Sequence, residues 1–482
     1  MAEAVLSIDA GTTNVRTLIV GTDGIVRGQA MLSQNLHYPS PGLVEMDPAE
    51  LWRATQQTIE MALDRAGLSA RDLAAVGITG QRTTIIVWER KSGKPLGPAI
   101  SWQDQRGIKR AQELYEKGFF ANAIAAASKL ESAIDAIPDG RRRMMRGELA
   151  WGNVDSFLAW QMSGGTVHVT DCSHACTTGY YDYFTAGWNT KLLEVQGLDM
   201  SLFPEIVDTS CMIGLTDRRV LGVEIPIGAI IGDQQSAAYA QGCLKPGEGK
   251  VTFGTSATCN VNTAGDIILN SLDAGIFPLV LWRRDGNITF CLEGMVITAG
   301  AVFGWLERGL KLIKDTSAAA EIGASVPDSH GVFFLPALQG LGAPHGQIKS
   351  YGIICGLTLG VTEAHIVRAA MEGVAFRVRE MIDRVYADSS LPRPSILKVD
   401  GGAAANDVLM QIQANILGCT VERMAPLEAT GYGAALLAGE ACGIWPRESA
   451  GTIRQTSRSF DPEWTEEMRN ERFYEWRQAC KL

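Results

Sequence analysis

The sequence lacks the features on which membrane proteins, disulfide-rich proteins and nucleic-acid-binding proteins depend. No run of about 18 apolar residues occurs, so a membrane-spanning helix is not expected. The ten cysteines are scattered without a Cys-x-x-Cys pair, which argues against a disulfide framework and favours a reducing, cytoplasmic location. Lys and Arg number 43 against 53 Asp and Glu, for a net charge of −10. Neither nucleic acid nor a membrane is therefore expected as a partner.

Four common catalytic or cofactor motifs are also missing. The chain has no Gly-x-x-x-x-Gly-Lys-Ser/Thr loop, no Gly-x-Gly-x-x-Gly, no His-Glu-x-x-His and no Gly-x-Ser-x-Gly. These absences disfavour a P-loop enzyme, a dinucleotide-binding fold, a zinc peptidase and a serine hydrolase. Cys172, His174 and Cys176 are close in sequence, but their spacing fits no standard zinc pattern, so we expect a structural role.

The chain instead alternates short apolar runs with longer helical patterns, which indicates an α/β fold. Its 482 residues correspond to roughly two to four domains. The predicted strands are Val5–Ile8, Leu18–Val20, Val76–Thr79, Thr84–Trp88, Ile227–Ile231, Lys250–Phe253, Ile288–Leu292 and Ile396–Val399. The predicted helices are Pro48–Ala66, Ala364–Val385 and Asn406–Leu417. Asp47 is expected to cap the first helix, with Pro48 in its first turn and Glu50 at the capping-box position.

One strand-and-turn pattern occurs twice. Residues 5–13 read VLSIDAGTT and residues 250–256 read KVTFGTS, so that Gly11 and Gly254 lie 243 positions apart, about half the chain. A chance match remains an alternative for so short a repeat. If the repeat is real, it predicts two related halves, residues 1–242 and 243–482, that face one another across a cleft.

Each repeated turn suits a phosphate group. Gly11 permits a tight turn, the hydroxyls of Thr12 and Thr13 can contact phosphate oxygens, and Arg16 can add a charged contact. Asp9, at the end of the strand, could orient a Mg²⁺ ion through water. Thr255, in the second turn, offers the same chemistry. The alternative is that both are ordinary β-turns without a ligand.

Two further segments place polar groups after a strand. Asp233 follows the strand that ends at Ile231, and a carboxylate there can accept a hydroxyl proton during phosphoryl transfer. Asp is also a favoured helix cap, so this position alone does not distinguish a catalytic carboxylate from a structural cap. Gly401 and Gly402 precede Asn406, and such small residues let a flat ring such as adenine approach the backbone. Close strand–helix packing is the alternative for that segment.

Taken together, these segments resemble the FGGY family of carbohydrate kinases, within the actin-like ATPase superfamily. The likeness covers nearly the whole chain, in order. It rests on IDAGTTNVR at 8–16, PGLVEMDPAELW at 41–52, GITGQRTTIIVWE at 77–89, SWQDQR at 101–106, RGELAWGNVDSFLAW at 146–160, VHVTD at 167–171, GDQQSAAYAQ at 232–241, FGTSAT at 253–258, GLGAP at 340–344 and VDGGAAANDVLMQ at 399–411. The resemblance implies a two-domain, ribonuclease H-like fold with a central cleft.

The resemblance also implies an ATP- and Mg²⁺-dependent kinase that phosphorylates a primary hydroxyl of glycerol or a related small polyol. Asp233 would be the catalytic base, and Asp9 and Asp233 would hold Mg²⁺. Arg82, Trp102, Asp233 and Gln234 would bind the polyol. The nucleotide would be held by Thr12, Thr13, Arg16, Thr255, Gly300, Gly401, Gly402 and Asn406. Since family members are often oligomers, a homodimer is possible.

Three departures leave the substrate open. Where the family's glycerol-specific members carry Glu, Tyr and Phe, this chain has Thr83, Ile124 and Thr258. The loss of a charged acceptor and of two aromatic side chains would weaken glycerol binding and favour a larger substrate. The alternatives are therefore a kinase of a ketopentose or tetritol, a nucleotide-driven protein that transfers no phosphate, and a family member that binds sugar without catalysis.

Overall fold

Two large mixed β-sheets organise the chain. The structure is a computed structural model that describes residues 3–346 and 350–482. The first unit comprises Met1–Ala240, Val280–Ile288 and Thr430–Ile453. The second comprises Gln241–Leu279, Thr289–Ala429 and Arg454–Leu482.

The described part of the chain alternates strands and helices. The strands are β1 (Ala4–Ala10), β2 (Asn14–Gly21), β3 (Val26–Ser33), β4 (Leu36–His37), β5 (Glu45–Met46), β6 (Leu73–Gly80), β7 (Ile86–Glu89), β8 (Ala99–Ile100), β9 (Leu149–Gly152), β10 (Val169–Asp171), β11 (Tyr181–Asp182), β12 (Gly187–Trp188), β13 (Glu205–Val207), β14 (Ser210–Leu215), β15 (Pro226–Gly232), β16 (Gly249–Phe253), β17 (Ala257–Ala264), β18 (Ile276–Arg284), β19 (Asn287–Val296), β20 (Phe333–Leu335), β21 (Ile353–Cys355), β22 (Ile396–Asp400), β23 (Thr420–Ala425) and β24 (Gln455–Phe460). The α-helices are α1 (Pro48–Ala66), α2 (Ile108–Glu116), α3 (Leu130–Asp135), α4 (Gly140–Met145), α5 (Val154–Met162), α6 (Cys172–Ala175), α7 (Thr190–Gln196), α8 (Arg218–Leu221), α9 (Asp233–Ala240), α10 (Ala301–Arg308), α11 (Ala318–Ala324), α12 (Glu363–Ser389), α13 (Asp407–Leu417), α14 (Ala429–Ala441), α15 (Ala450–Ile453) and α16 (Glu466–Cys480).

The two large sheets repeat one topology. The first has the order β14-β15-β6-β1-β2-β3, and the second has the order β18-β19-β17-β16-β22-β23-β24. In the first, β1, β2 and β3 form an antiparallel meander, and β6 and β15 continue parallel to β1. In the second, β16, β17 and β19 pair antiparallel in that order, β18 is added beyond β19, and β22 and β23 continue parallel to β16. The repeated sequence pattern therefore marks the first hairpin of each sheet.

The burial of β1, a central strand of the first sheet, explains why its sequence is predominantly apolar. Every residue of β1 is buried, and the strand has a hydrogen-bonded neighbour on each side. A strand covered on both faces carries apolar residues without alternation. Leu6 and Ile8 belong to the core of the first unit, whereas Val251 and Phe253 of β16 belong to the core of the second.

The predicted helices are confirmed, and α1 has the predicted bounds. The Asp47 carboxylate accepts a hydrogen bond from the Ala49 backbone N–H at 2.8 Å, as expected of a cap. Glu50 does not complete a capping box, because its carboxylate accepts instead from the side chain of Asn35 at 2.7 Å. In the described residues, no helix has both the length and the apolar character needed to span a bilayer.

One predicted strand begins later than its sequence indicated. The run Thr84–Trp88 becomes β7 only from Ile86. Thr83 adopts a φ of 61°, in the left-handed region that a β-branched residue avoids. The Thr84 hydroxyl donates to the side chain of Gln81, so this segment forms a turn at the start of the strand.

Candidate active site

Three parallel strands of the first unit end at the same edge. Ala10 of β1 and Gly232 of β15 are both in register with Gly80 of β6. Carboxyl ends of neighbouring parallel strands are where open α/β sheets hold ligands. The structure thereby brings together the first phosphate turn, Arg82 and Asp233, each of which follows one of these strands.

Asp233 and Arg82 form an ion pair at this edge. Arg82 Nε lies 3.2 Å from Asp233 Oδ1, and the side chains are 15% and 27% exposed. Asp233 begins α9, and the same carboxylate oxygen accepts from the Gln234 backbone N–H at 2.8 Å. Asp233 therefore starts a helix and also presents a partly open carboxylate next to a guanidinium. That pair can bind a hydroxyl, with the guanidinium as donor and the carboxylate as proton acceptor.

Trp102 lies beside the first phosphate turn. Its indole Nε1 donates to Thr12 Oγ1 at 2.9 Å, and its backbone N–H donates to Thr84 Oγ1 at 3.1 Å. The side chain is partly exposed, so the indole combines an anchored edge with an accessible apolar surface. Such a ring can pack against the carbon chain of a small ligand.

The first turn also holds the predicted phosphate-binding groups. Thr13 is exposed and Thr12 partly exposed. Asp9, which is buried, is paired in register with Arg16 of β2, so both side chains lie on one face of the sheet. The turn carbonyl of Gly11 accepts from the Gln81 side chain at 3.3 Å, which fixes the turn against the end of β6.

The second unit contains the equivalent turn between β16 and β17. Thr255 is exposed there. The Thr255 carbonyl accepts from the backbone N–H groups of Ala299 and Ala301, and the Gly254 carbonyl accepts from that of Gly300 at 3.0 Å. A Cβ at Gly300 would lie 2.4 Å from the Gly254 carbonyl oxygen, so this close contact requires glycine.

Gly401 and Gly402 form the other predicted nucleotide segment of this unit. Gly401 has a φ of 89°, and a Cβ on it would lie 2.6 Å from the carbonyl oxygen of Phe253. A Cβ at Gly402 would instead meet nothing within 4 Å. Asn406 caps α13, since its Oδ1 accepts from the Leu409 N–H at 3.0 Å. The side-chain oxygen of Asn406 therefore caps the helix, and the side-chain N–H₂ group can donate to a ligand.

Sequence reasoning missed Gln81, Thr84 and Lys129. Lys129 is completely buried, and its Nζ donates to the Ser101 carbonyl at 2.9 Å, directly before Trp102. Burial lowers the pKa of Lys129 to about 7, against the opposing effect of Asp104. Gln81 stood in a segment used for the family resemblance, but no sequence pattern signals the burial of Lys129.

The Cys172–His174–Cys176 segment is packed inside the first unit. All three side chains are buried around the short helix α6. Burial raises the pKa of the Cys172 thiol to about 11 and that of Cys176 to about 12. Both thiols are therefore protonated at neutral pH, whereas a metal ligand must be a thiolate.

Comparisons with known proteins agree with this arrangement. Residues 4–240 match the N-terminal domain model of the FGGY family of carbohydrate kinases, and residues 249–442 match its C-terminal domain model. A glycerol kinase of Aromatoleum aromaticum is 40% identical, over 99% of this chain and 98% of its own.

Two solved structures extend the comparison. A Plasmodium falciparum glycerol kinase crystallised with ADP is 28% identical with a TM-score of 0.91, over 99% of this chain and 97% of its own. A gluconate kinase from Lactobacillus acidophilus is 19% identical with a TM-score of 0.84, over the same shares, and shows the shared fold alone. The expected family and the α/β class are confirmed: the chain belongs to the FGGY family of carbohydrate kinases and is an ATP-dependent phosphotransferase.

Proposed function

We propose that this protein transfers the γ-phosphate of ATP to a primary hydroxyl of glycerol or a related small polyol, with Mg²⁺ as cofactor. The observation that carries the proposal is the Arg82–Asp233 pair at the strand edge that also holds Trp102 and the first phosphate turn. The glycerol kinase names of the similar proteins support the substrate class.

In the proposed reaction Asp233 is the catalytic base. Its carboxylate accepts the proton of the substrate hydroxyl while that oxygen attacks the γ-phosphorus. Arg82 and Gln234 bond the other hydroxyls, and Trp102 packs against the carbon chain. Because Arg82 already pairs with Asp233, a bound polyol would insert its hydroxyls beside an existing ion pair.

The proposed nucleotide site draws on both predicted domains. Residues 1–242 would supply the polyol site and, from the first turn, Thr12, Thr13 and Arg16. Residues 243–482 would supply Thr255 and the adenosine segment, which comprises Gly300, Gly401, Gly402 and Asn406. The exposure of Thr13 and Thr255 and the open space beside Gly402 support these roles.

Asp9 and Asp233 would orient Mg²⁺. Among the described residues, no group of three or more His, Cys, Asp or Glu side chains is arranged to hold a metal. A Mg²⁺ ion that keeps most of its water and binds phosphate oxygens needs only one or two carboxylates. The ion would neutralise charge on the transferred phosphoryl group.

A larger polyol, a tetritol or a ketopentose is the second candidate substrate. The observation in its favour is Thr83, which is buried next to Arg82 where a glutamate would bond a glycerol hydroxyl. Ile124 is exposed to solvent, and Thr258 lies buried in β17 of the second unit. A screen of ADP release with glycerol, erythritol, pentitols and ketopentoses separates the candidates. ATP turnover that no sugar or polyol stimulates would contradict the proposed transfer.

The base assignment can be tested with two matched aspartates. Asp233→Asn should lower turnover by roughly 10²–10⁴-fold, as for loss of a general base. Asp217 also begins a helix and pairs with an arginine, since its carboxylate caps α8 and bonds Arg219. Asp217→Asn should leave turnover unchanged. Full activity of Asp233→Asn, or equal losses in both variants, would assign Asp233 a purely structural role.

A homodimer and a cytoplasmic location remain predictions. Light scattering of the purified protein tests the first. The second is in keeping with the free thiols of all ten cysteines.

A further inference from the structure

Four side chains of the first unit form a closed ring of hydrogen bonds through Trp102. The indole N–H of Trp102 donates to Thr12 Oγ1 at 2.9 Å, and Thr12 donates to Gln81 Oε1 at 3.3 Å. Thr84 Oγ1 donates to the same Gln81 oxygen at 2.9 Å and accepts from the Trp102 backbone N–H at 3.1 Å. Gln81 and Thr84 are buried. The ring thus joins the indole to the first phosphate turn by two separate routes.

Gln81 lies at the centre of this ring and also holds the turn backbone. Its backbone N–H donates to the Ala10 carbonyl at 2.9 Å, and its side-chain nitrogen donates to the Gly11 carbonyl at 3.3 Å. The Thr12–Gln81 bond is longer than the bond that Thr84 makes to the same oxygen. The Thr12 proton can therefore turn away while Thr84 still satisfies Gln81, so no buried acceptor is left unpaired.

We propose that this ring couples polyol binding to nucleotide binding, with Gln81 and Thr84 as positioning residues. The inference rests on the proposed function, in which the polyol packs on Trp102 and a phosphate contacts Thr12. A bound polyol holds the indole in place, and the indole N–H then stays directed at Thr12. A hydroxyl that accepts a hydrogen bond is a stronger donor, so the Thr12 proton swings from Gln81 to the phosphate oxygen. Each ligand therefore raises the affinity for the other, by the same factor.

The coupling can be measured without turnover by using ADP. We expect ADP to bind about fivefold more tightly at saturating glycerol than without it, which is the low end of typical coupling between sites. Isothermal titration gives the ratio of the two dissociation constants. If the ADP-release screen shows a faster polyol, that polyol replaces glycerol in the titration.

Thr84→Val should bring this ratio close to one, because it removes both ring bonds of the hydroxyl at nearly constant volume. Thr84→Ser keeps the hydroxyl and should restore the ratio. Thr58→Val is the matched control, since the Thr58 hydroxyl is also buried, donates to the Thr55 carbonyl and accepts from Thr17. It should keep the wild-type ratio. Should Thr84→Val fail to fold, Trp102→Phe carries the same test, because it loses the indole donor but keeps an aromatic ring.

The results separate the coupling from the proposed function. Polyol-dependent ADP release together with a wild-type ratio of one would overturn the coupling alone. An unchanged ratio in Thr84→Val, or an equal loss in Thr58→Val, would overturn it as well. Absence of polyol-dependent release would instead overturn the proposed function, and with it the premise of the coupling.

Discussion

Lys129, a buried lysine that bonds the residue before Trp102, predicts a specific dependence of stability on pH. The Lys129 side chain is 0% exposed, and its ammonium donates to the Ser101 carbonyl. An ammonium carries three N–H donors, and removal from water penalises the charged form. Lys129→Met replaces this group with an unbranched apolar side chain of similar length. The variant therefore tests how much a titrating amine at this position lowers the free energy of unfolding.

The magnitude follows from the pKa. Burial lowers the pKa of Lys129 from 10.5 to about 7. An unfolded lysine keeps its proton up to pH ~10.5, whereas the folded one releases it near pH 7. Between these values the unfolded state binds more protons, so the free energy of unfolding rises with pH. Below pH 7 the full penalty of about 5 kcal/mol applies, and between pH 7 and 9 about 2 kcal/mol of it is relieved.

Urea unfolding followed by tryptophan fluorescence at pH 7 and pH 9 measures this effect. We expect wild type to gain about 2 kcal/mol relative to Lys129→Met over that interval. Loss of the bond to Ser101 costs the variant about 1 kcal/mol at both pH values and so cancels in the comparison. Lys109→Met is the control, because the Lys109 side chain is 92% exposed. Identical pH dependence of wild type and Lys129→Met would refute the reasoning.

Three other substitutions test the site. Thr83→Glu should raise kcat/KM for glycerol relative to xylitol by about tenfold, because a buried acceptor is restored for a substrate hydroxyl; an unchanged ratio counts against the role of Thr83 in specificity. Gly401→Ala should lower the free energy of unfolding by about 1–3 kcal/mol, since the residue is held at positive φ against Phe253. Gly402→Ala should leave the free energy of unfolding unchanged, so weaker ADP binding by this variant in a titration would show that Gly402 contacts the nucleotide. Equal losses of stability in both variants would contradict the geometry.

Local chemistry explains why many elements could be predicted from the sequence. The bounds of α1 follow from Asp47 and Pro48 at its start and from Gly67, which adopts a φ of 66° at its end. The strand β1 follows from the run Val5–Ile8, which is apolar except for Ser7 and ends before Asp9. The repeated Gly-Thr pattern lies in the first hairpin of each sheet, where each turn follows a buried strand.

The parts that sequence could not predict depend on partners far apart in the chain. The hydroxyl of Thr12 meets the indole of Trp102 across 90 positions, and Gln81 meets Gly11 across 70. Glutamine and threonine are ordinary turn and surface residues, so their type gives no sign of such contacts. The burial of Lys129 is harder still to predict, because lysine is almost never fully buried and the sequence pattern around it is that of a helix start.

The two repeated turns are supported in different ways, and this difference matters for function. The second turn is held by backbone groups, since the Gly254 and Thr255 carbonyls bind the N–H groups that precede and begin α10. The first is held by backbone bonds from the Gln34 and Gln81 N–H groups and, in addition, by side chains, through Gln81 and the indole of Trp102. Backbone bonds fix a turn whatever the neighbouring side chains do, whereas a side-chain network responds when one member changes its partner. The first turn is hydrogen-bonded to Trp102, which the proposed function places against the polyol, so under that proposal an arriving substrate can alter how this turn binds phosphate.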